Sequence, residues 1–143
     1  MRKIYLDNCC FNRPFYPQDD IRIRLESEAK LEIQERVQNK KLDLVWSYIL
    51  DFENNANPFD ERKEVISEWR KYASVDIEES KELLEKAEFI AKKGIGKKDS
   101  LHIACAIIAG CDYFLTTDDE ILRRMKNQDE IKVVDPTDFL LGE

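Results

Sequence analysis

The stretch "KKDSLHIACAIIAGCDYFLTTDDE", residues 97–120, decides the fold class because it contains a helix, a turn and a strand in direct succession. After Asp99 the helical pattern is almost fully apolar, and it ends at Gly110, a residue type that often follows the last turn of a helix. The aromatic and β-branched run "DYFLTT" then predicts a short buried strand. Asp99 stands near the start of this apolar unit and Asp118 at its end, so a carboxylate marks each edge.

Strands and helices alternate in the same way along the rest of the sequence. Strands are predicted at residues 3–7, 42–47, 74–77, 112–117 and 131–135. Helices are predicted at 21–38, after Ser47, from Asn57 and Pro58, around 83–91, from Asp99, and from Asp119 to about Asn127. This alternation is typical of the α/β class, in which a parallel sheet carries helices on both faces. Ligands of such sheets bind beyond the carboxyl ends of the strands.

Apolar periodicity predicts which faces of the helices are buried. In the helix at 21–38, the inward positions recur every four residues: Ile21, Leu25, Ala29, Ile33 and Val37. In the next two helices, the inward positions are Ile49, Leu50 and Phe52, then Phe59, Ile66, Trp69 and Ala73. The connector "RPFYPQDD" (13–20) contains two prolines, which argue against regular structure there.

Length and composition limit the function classes. With 143 residues and 43% hydrophobic side chains, the chain can form one domain, residues 1–143, around an ordinary core. A net charge of -7 argues against tight non-specific nucleic-acid binding, but it suits an enzyme whose acids hold cations. The longest apolar stretches are about ten residues, too short for the ~20 of a membrane span. Four cysteines without a metal-type spacing, and no signal peptide ahead of them, indicate the reducing cytoplasm.

Three acids are expected to meet at one edge of the sheet. Asp7 directly follows the strand "IYL", and Asp118 follows "YFLTT" in the same way. If these strands are adjacent and parallel, both carboxylates emerge at the same edge. Asp99 begins the helix that leads into the second of these strands, and such a helix runs antiparallel to the strand. Its first turn therefore lies near the same carboxyl end.

A fourth acid comes from "SYILDFE", where Asp51 and Glu53 compete. They stand two residues apart, about 200° around a helix, so they cannot face the same side. Glu53 shares the face of Ile49 and Leu50, which should point inward, and it is the better candidate. For the acid after the later strand, Asp119 remains an alternative to Asp118.

Clustered carboxylates repel one another, and a cation removes that repulsion. Hard oxygen ligands, with no His or Cys expected nearby, favour Mg²⁺ or Mn²⁺, which keep waters and can bridge to phosphate. The chemistry that these residues indicate is metal-assisted hydrolysis of a phosphodiester.

The blocks "IYLDNCCFNR", "SYILDFE" and "KKDSLHIACAIIAGCDYFLTTDDEIL" resemble the motifs of PIN domains over essentially the whole chain. The resemblance implies a three-layer α/β/α sandwich with a central, mostly parallel five-stranded sheet. It also implies a Mg²⁺- or Mn²⁺-dependent endoribonuclease, as in the toxins of bacterial toxin-antitoxin pairs. The partners would then be an RNA substrate, an antitoxin protein and a second copy of the chain in a homodimer. The acidic positions of the family, which serve catalysis and metal binding, fall on Asp7, Glu53, Asp99 and Asp118.

Other residues are candidates for binding the substrate. Thr117 matches the hydroxyl residue that PIN domains commonly place beside the last acid, and Asn8 stands where a Thr or Ser often follows the first. Arg13 can reach the site from the first connector. Lys98 belongs to a basic run beside Asp99, which is explained by a solvated helix end or, alternatively, by attraction of phosphate.

Structural explanations compete with these functional ones. Asp99 could simply cap its helix, and for His102 a hydrogen-bonded structural role is favoured over a catalytic one. Two other functions remain open. One is a catalytically silent module that binds RNA or a protein. The other is a phosphoacceptor receiver domain, although "LDNC" and "VVDP" lack the adjacent acids and the lysine that such a domain needs.

Overall fold

The computed structural model describes residues 1–142, so Glu143 of the predicted domain lies outside the described residues. In this part of the chain, strands and helices alternate as expected. The strands are β1 (Lys3–Leu6), β2 (Asp43–Ser47), β3 (Ala73–Ile77), β4 (Tyr113–Leu115) and β5 (Lys132–Val134). The helices are α1 (Asn8–Asn12), α2 (Ile21–Gln38), α3 (Tyr48–Asn55), α4 (Asp60–Ser67), α5 (Lys81–Ala91), α6 (Lys97–Ile108), α7 (Asp119–Arg124) and α8 (Pro136–Gly142).

The five strands form one parallel sheet in the order β3-β2-β1-β4-β5. The chain moves from β1 outward to β3, and it then crosses to β4 on the other side of β1. Because such crossovers are right-handed, the helices before and after β3 cover opposite faces of the sheet. The predicted α/β/α fold with a five-stranded parallel sheet is confirmed. The direction of winding reverses at β1, which makes its carboxyl end the expected ligand site.

The strand order also decides one of the competing functions. Receiver domains have the doubly wound order 2-1-3-4-5, whereas the order here is 3-2-1-4-5. The receiver-like alternative is therefore wrong.

The central strands are buried on both faces. Ile4, Tyr5 and Leu6 of β1 and Trp46 of β2 are fully buried, which explains why these strands read as continuous apolar runs. At the edge of the sheet, β3 alternates between half-buried and exposed residues, so its sequence signal is weaker.

The buried face of α2 differs from the prediction. Ala29, Ile33 and Val37 are buried as expected, but Ile21 and Leu25 are 65% and 47% exposed. Polar residues, chiefly Glu26 and Lys30, are buried on the helix instead. Apolar residues recur every four positions along the whole helix, but the N-terminal turns of α2 do not pack that face against the core.

Both buried charges of α2 have partners that make their burial tolerable. Glu26 accepts hydrogen bonds from Arg13 Nε (3.0 Å) and Arg22 Nε (3.2 Å). The ammonium of Lys30 lies 5.5 Å from the centre of the Phe11 ring, and burial lowers the pKa of Lys30 to about 8. Periodicity along α2 cannot reveal Arg13 and Phe11 as partners, because these two residues come from other elements.

The segment after α3 also departs from the prediction. Phe52 and Phe59, both expected inside, are 59% and 52% exposed. Helix α4 begins at Asp60 rather than at Pro58, because Asn57 Oδ1 accepts a hydrogen bond from Phe59 N (3.0 Å) and forms a turn first. Ile66 is buried as expected, while Trp69 lies in a 3₁₀ turn after α4 and is only partly buried.

The connector at 13–20 is partly ordered as well. It begins with a 3₁₀ turn at Arg13–Phe15, which accommodates Pro14 in its first turn, where a missing N–H is harmless. Among residues 1–142, no helix is both long and apolar enough to cross a membrane.

Substitution of Gly110 tests the conformation of the turn that joins α6 to β4. Its φ of 77° is left-handed, and a Cβ added there would meet no atom within 4 Å. We expect Gly110→Ala to lower the free energy of unfolding by roughly 1–2 kcal/mol, because the left-handed conformation strains a side chain. Gly110→Asn should lose less, since Asn tolerates this region. Urea unfolding of both variants is the measurement, and an Ala variant as stable as the Asn variant would contradict the expectation.

Candidate active site

Asp7 lies at the carboxyl end of the central strand and is fixed by several hydrogen bonds. Its side chain is almost fully buried; Oδ1 accepts from Asn8 N (2.8 Å), and Oδ2 accepts from Thr116 Oγ1 (2.8 Å). Its own amide donates to Leu115 O (2.9 Å), one residue beyond the paired strands. Asp7 thus has one orientation, set by both its own strand and β4.

The hydroxyl beside the acids belongs to Thr116, a residue that the sequence analysis did not select. Leu6 pairs with Leu115, so the next residues, Asp7 and Thr116, face each other. Thr116 Oγ1 also accepts a hydrogen bond from Asp118 N (3.1 Å) and so links the first acid to the last. Thr117, the predicted residue, is buried next to it and uses its carbonyl to accept from Arg22 Nη2 (3.0 Å). Knowledge of the register between β1 and β4 would have identified Thr116, rather than Thr117, as the hydroxyl residue beside Asp7.

Asp118 and Asp119 have different partners. Asp118 Oδ1 caps α7 by accepting from Glu120 N (2.9 Å) and Ile121 N (3.2 Å). Both oxygens of Asp119 accept hydrogen bonds from Arg22, at 2.7 and 2.9 Å, and this pair holds the pKa of Asp119 below its usual range. Asp119 is thereby engaged by α2, while Asp118 remains the acid that acts on Asp99.

Asp51 and Glu53 face different sides of α3. Asp51 Oδ1 accepts a hydrogen bond from Trp46 Nε1 (2.9 Å), and its other oxygen lies 3.9 Å from Arg70. Glu53 contacts the ring of His102 on α6. The structure therefore brings Glu53, and not Asp51, to the helix that carries Asp99.

His102 is the centre of a buried polar network. It is fully buried, and its Nε2 bonds Glu53 Oε1 while its Nδ1 lies 2.5 Å from Tyr5 Oη. Tyr5 Oη in turn lies 2.6 Å from Ser47 Oγ, which caps α3 by accepting from Leu50 N. The hydrogen-bonded role of His102 was the favoured prediction. The extent of the network was missed, since its members are separated by up to 97 residues.

Asp99 is not the cap of α6. Gly96 occupies the N-cap position, and Asp99 lies inside the first turn. Burial raises the pKa of Asp99 to about 6, with further increases from the negative charges of Asp7, Asp118 and Glu53. His102 acts in the opposite direction. The four predicted acids are thus close enough to interact, although they come from four separate elements.

The charge of Glu53 is balanced by its neighbours. Burial raises the pKa of Glu53, but the interaction with His102, the positive charge of Lys98 and a hydrogen bond from Asn8 lower it below the usual range. Asn8 and Lys98, both predicted as substrate-binding residues, therefore lie beside this acid. Arg13, which was also predicted to bind the substrate, forms an ion pair with Glu26 instead.

Cys9 is a further residue of the site that the sequence analysis did not include. Its thiol lies 3.5 Å from both Asp7 Oδ2 and Thr116 Oγ1. The sulfur also accepts a hydrogen bond from Thr117 N (3.4 Å). Its position two residues after Asp7, on the first turn of α1, could have suggested this.

The donor set fits a hard divalent cation. All four acids offer oxygen, and a cation would relieve the repulsion that adds to burial in raising the pKa of Asp99. As the side chains lie, however, no three His, Cys, Asp or Glu residues within residues 1–142 are arranged closely enough to hold a metal ion. Binding of an ion would require these carboxylates to move closer together.

Comparison with solved structures supports the fold. FitAcB from Neisseria gonorrhoeae matches with a TM-score of 0.60 and 15% identity, over 93% of this chain and 97% of that chain. DNA-bound VapBC from Salmonella typhimurium matches with 0.57 and 20%, over 95% and 99%. VapBC2 from Rickettsia felis, bound to a DNA fragment from the promoter, matches with 0.57 and 14%, over 92% and 96%.

The other two comparisons gave no relative. The sequence matches no protein-family model, and no curated protein matches it significantly. Identities of 14% to 20% show a shared fold, and the similarity extends over nearly the full length of each chain.

The raised pKa of Asp99 predicts a pH-dependent stability of the metal-free protein. An unfolded Asp titrates near about 3.9, whereas Asp99 in the folded protein titrates at about 6. Between these values the folded state binds more protons, so Asp99 lowers stability as pH rises through this window. In EDTA, Asp99→Asn should therefore raise the thermal midpoint at pH 7.5 and change it little at pH 4.

Asp119→Asn is the matched control for this experiment. The pKa of Asp119 is lowered by Arg22, so removal of its charge should destabilise the protein at pH 7.5 or leave it unchanged. An Asp99→Asn variant that is less stable than the wild type at pH 7.5 would show that the carboxylate is not repelled by its neighbours.

Proposed function

We propose that the protein is a Mg²⁺- or Mn²⁺-dependent endoribonuclease of the PIN type. The observation that supports this most is that the negative charges of Asp7, Asp118 and Glu53, carried by separate parts of the chain, add to the burial of Asp99 in raising its pKa. Such an arrangement costs stability unless the cluster binds a cation. The resemblance of the motifs and the shared fold with the VapBC and FitAcB structures agree with it.

The metal would be held by Asp7, Glu53, Asp99 and Asp118. When bound, a divalent ion of this kind activates water and neutralises charge on a phosphoryl group during hydrolysis. Other residues of the chain form hydrogen bonds to two of these metal-binding side chains and orient them. Thr116 and the amide of Asn8 orient Asp7, and the ring of His102 orients Glu53. Hydrogen bonds of this type fix the direction of a ligand and raise its affinity for metal.

Substrate contacts would come from cations and amides around Glu53. Lys98 is near enough to lower the pKa of Glu53, and a phosphate arriving there would find a positive charge beside the acids. Asn8 can offer its amide to the same phosphate. Arg13 and Thr117 are weaker candidates, because Glu26 and Arg22 already engage them.

The cellular role that fits best is the toxin of a toxin-antitoxin pair. The solved structures that share the fold include VapBC bound to DNA, and the chain covers nearly all of each matched chain. An antitoxin protein would then be the physiological partner, and a homodimer a natural assembly. Co-purification with the product of a neighbouring small reading frame would test this role.

Binding of metal predicts a rise in thermal stability. Millimolar Mn²⁺ or Mg²⁺ should raise the thermal midpoint, because a ligand that binds only the folded state stabilises it by ~2.7 kcal/mol at 100 times its dissociation constant. Asp99→Asn should lose most of this rise, and Asp119→Asn should keep it. A response to Ca²⁺ alone, or none to any of these ions, would contradict the proposed metal centre.

Cleavage should depend on Glu53 and not on Asp51. Glu53→Gln should lower the Mn²⁺-dependent cleavage of a mixed-sequence single-stranded RNA by more than the roughly 10- to 100-fold typical of outer-shell changes. Asp51→Asn should cleave at the wild-type rate, because Asp51 faces Trp46 and Arg70. The reverse result would assign the site to the other face of α3.

A further inference from the structure

A small pocket opens directly beside Glu53. It has a volume of about 270 Å³ and lies between α1, the following turn and the start of α4. The residues that matter for its chemistry are Asn12, Tyr16, Glu53, Asn57, Phe59 and Arg62. We call it the Phe59 pocket. Since Glu53 belongs to both, the pocket adjoins the acid cluster.

The wall of the pocket carries accessible aromatic rings. Phe59 is 52% exposed and Tyr16 is 37% exposed, although both are large apolar groups. The guanidinium of Arg62 lies 3.9 Å from the centre of the Phe59 ring and covers one of its faces. Arg62 also donates to Phe15 O (3.3 Å), which holds the guanidinium plane in place. The pocket therefore offers a supported ring and a flat cation.

The pocket also carries two amides in fixed orientations. Asn57 Nδ2 donates to Asn12 Oδ1 (3.3 Å), and Asn12 Nδ2 donates to Asn8 O (3.0 Å). Asn57 Oδ1 is fixed as well, since it accepts from Phe59 N (3.0 Å). Each amide nitrogen has two N–H groups and uses one in these bonds. The second N–H of each can serve an acceptor on a ligand.

We propose that the Phe59 pocket binds one unstacked base of single-stranded RNA, next to the phosphate that the acid cluster would hydrolyse. This inference rests on the proposed function. Aromatic rings and guanidinium planes are the surfaces on which proteins stack splayed bases, and amides bind the base edges. The pocket lies just below the range of about 300–1,000 Å³ for drug-sized ligands, which suits one planar group. Bases inside a duplex are stacked and paired, so they cannot enter it.

The cations and exposed rings around Glu53 favour a nucleic-acid base over other planar ligands of the Phe59 pocket. Lys98 lies 5.6 Å from the ring centre of the exposed Phe52 on the same helix as Glu53. Two exposed rings near Glu53 thus each have a cation over them: Lys98 over Phe52 and Arg62 over Phe59. Alternating cations and stacking surfaces are how proteins bind the backbone and bases of single strands. Because the chain as a whole has a net charge of -7, cations placed over exposed rings beside Glu53 are stronger evidence for binding of RNA than they would be in a basic protein.

Three variants separate base stacking from simple packing. Phe59→Leu keeps an apolar side chain and removes the ring, whereas Phe59→Trp keeps a ring. Phe89→Leu is the matched control, because Phe89 is 56% exposed and also carries lysines over its ring, but it lies on α5 outside the pocket. Equal thermal midpoints of the four proteins would establish that each variant folds.

Two measurements on the full chain give the test. The first is the kcat and KM for cleavage of a single-stranded RNA octamer in Mn²⁺, with a duplex of the same sequence for comparison. The second is binding of the fluorescently labelled octamer in EDTA, measured by anisotropy. Phe59→Leu should raise KM roughly fivefold or more, the effect of one lost stacking contact, with kcat unchanged. Phe59→Trp should restore KM, and Phe89→Leu should match the wild type.

The possible results separate the two proposals. If the wild type cleaves RNA and Phe59→Leu changes neither KM nor the preference for single strands, the pocket proposal is wrong and the ribonuclease stands. If the wild type binds the octamer through Phe59 but never cleaves it, the pocket is correct and the chain is a binding module. If the wild type neither binds nor cleaves, both proposals fail.

Discussion

Parallel pairing of β1 with β4 is the constraint on which the candidate site depends. It sets Leu6 against Leu115 and therefore Asp7 against Thr116, whose hydroxyl joins Asp7 to the amide of Asp118. Since β1 also pairs with β2, the helix after β2 begins at the same edge and brings Glu53. A shift of this register by one residue would turn Asp7 to the opposite face of the sheet.

The acids of this edge are treated differently by their surroundings. Asp119 has Arg22, and Glu53 has the ring of His102 with Lys98 close by, so both have lowered pKa values. The pKa of Asp99 is raised, first by burial and then by the negative charges of Asp7, Asp118 and Glu53. It is therefore the acid with the most to gain from a bound cation. The network from His102 through Tyr5 to Ser47 satisfies the buried polar atoms and holds α3 against α6.

Much of the fold was predictable because its signals are local. The apolar run of β1 and the Gly110 stop each depend on a few neighbouring residues, and the structure agrees with both. The burial of Glu26 on α2 is accompanied by a hydrogen bond from Arg13, which comes from another element. Local periodicity contains no information of that kind.

The candidate site was predictable to a similar extent. Strand ends and helix phase identify Asp99 and three acids whose charges act on it, whereas the roles of all four in metal binding and cleavage stay predictions. Thr116 was missed in favour of Thr117 because the choice depends on strand register. The Phe59 pocket was missed because Phe59 fits an apolar helix pattern, and only the turn at Asn57 moves it outward.

The hydrogen bond between Thr116 and Asp7 joins residues that are 109 positions apart in the chain. During synthesis, Asp7 leaves the ribosome long before the segment that must pair beside it. The edge at which the acids meet cannot form until β4 has emerged and inserted next to β1. A nascent chain, or a product of premature termination before Thr116, therefore carries three of the four acids without the strand that aligns them. The acids at this edge can be aligned only after Thr116 has left the ribosome, so the arrangement forms late relative to the synthesis of Asp7.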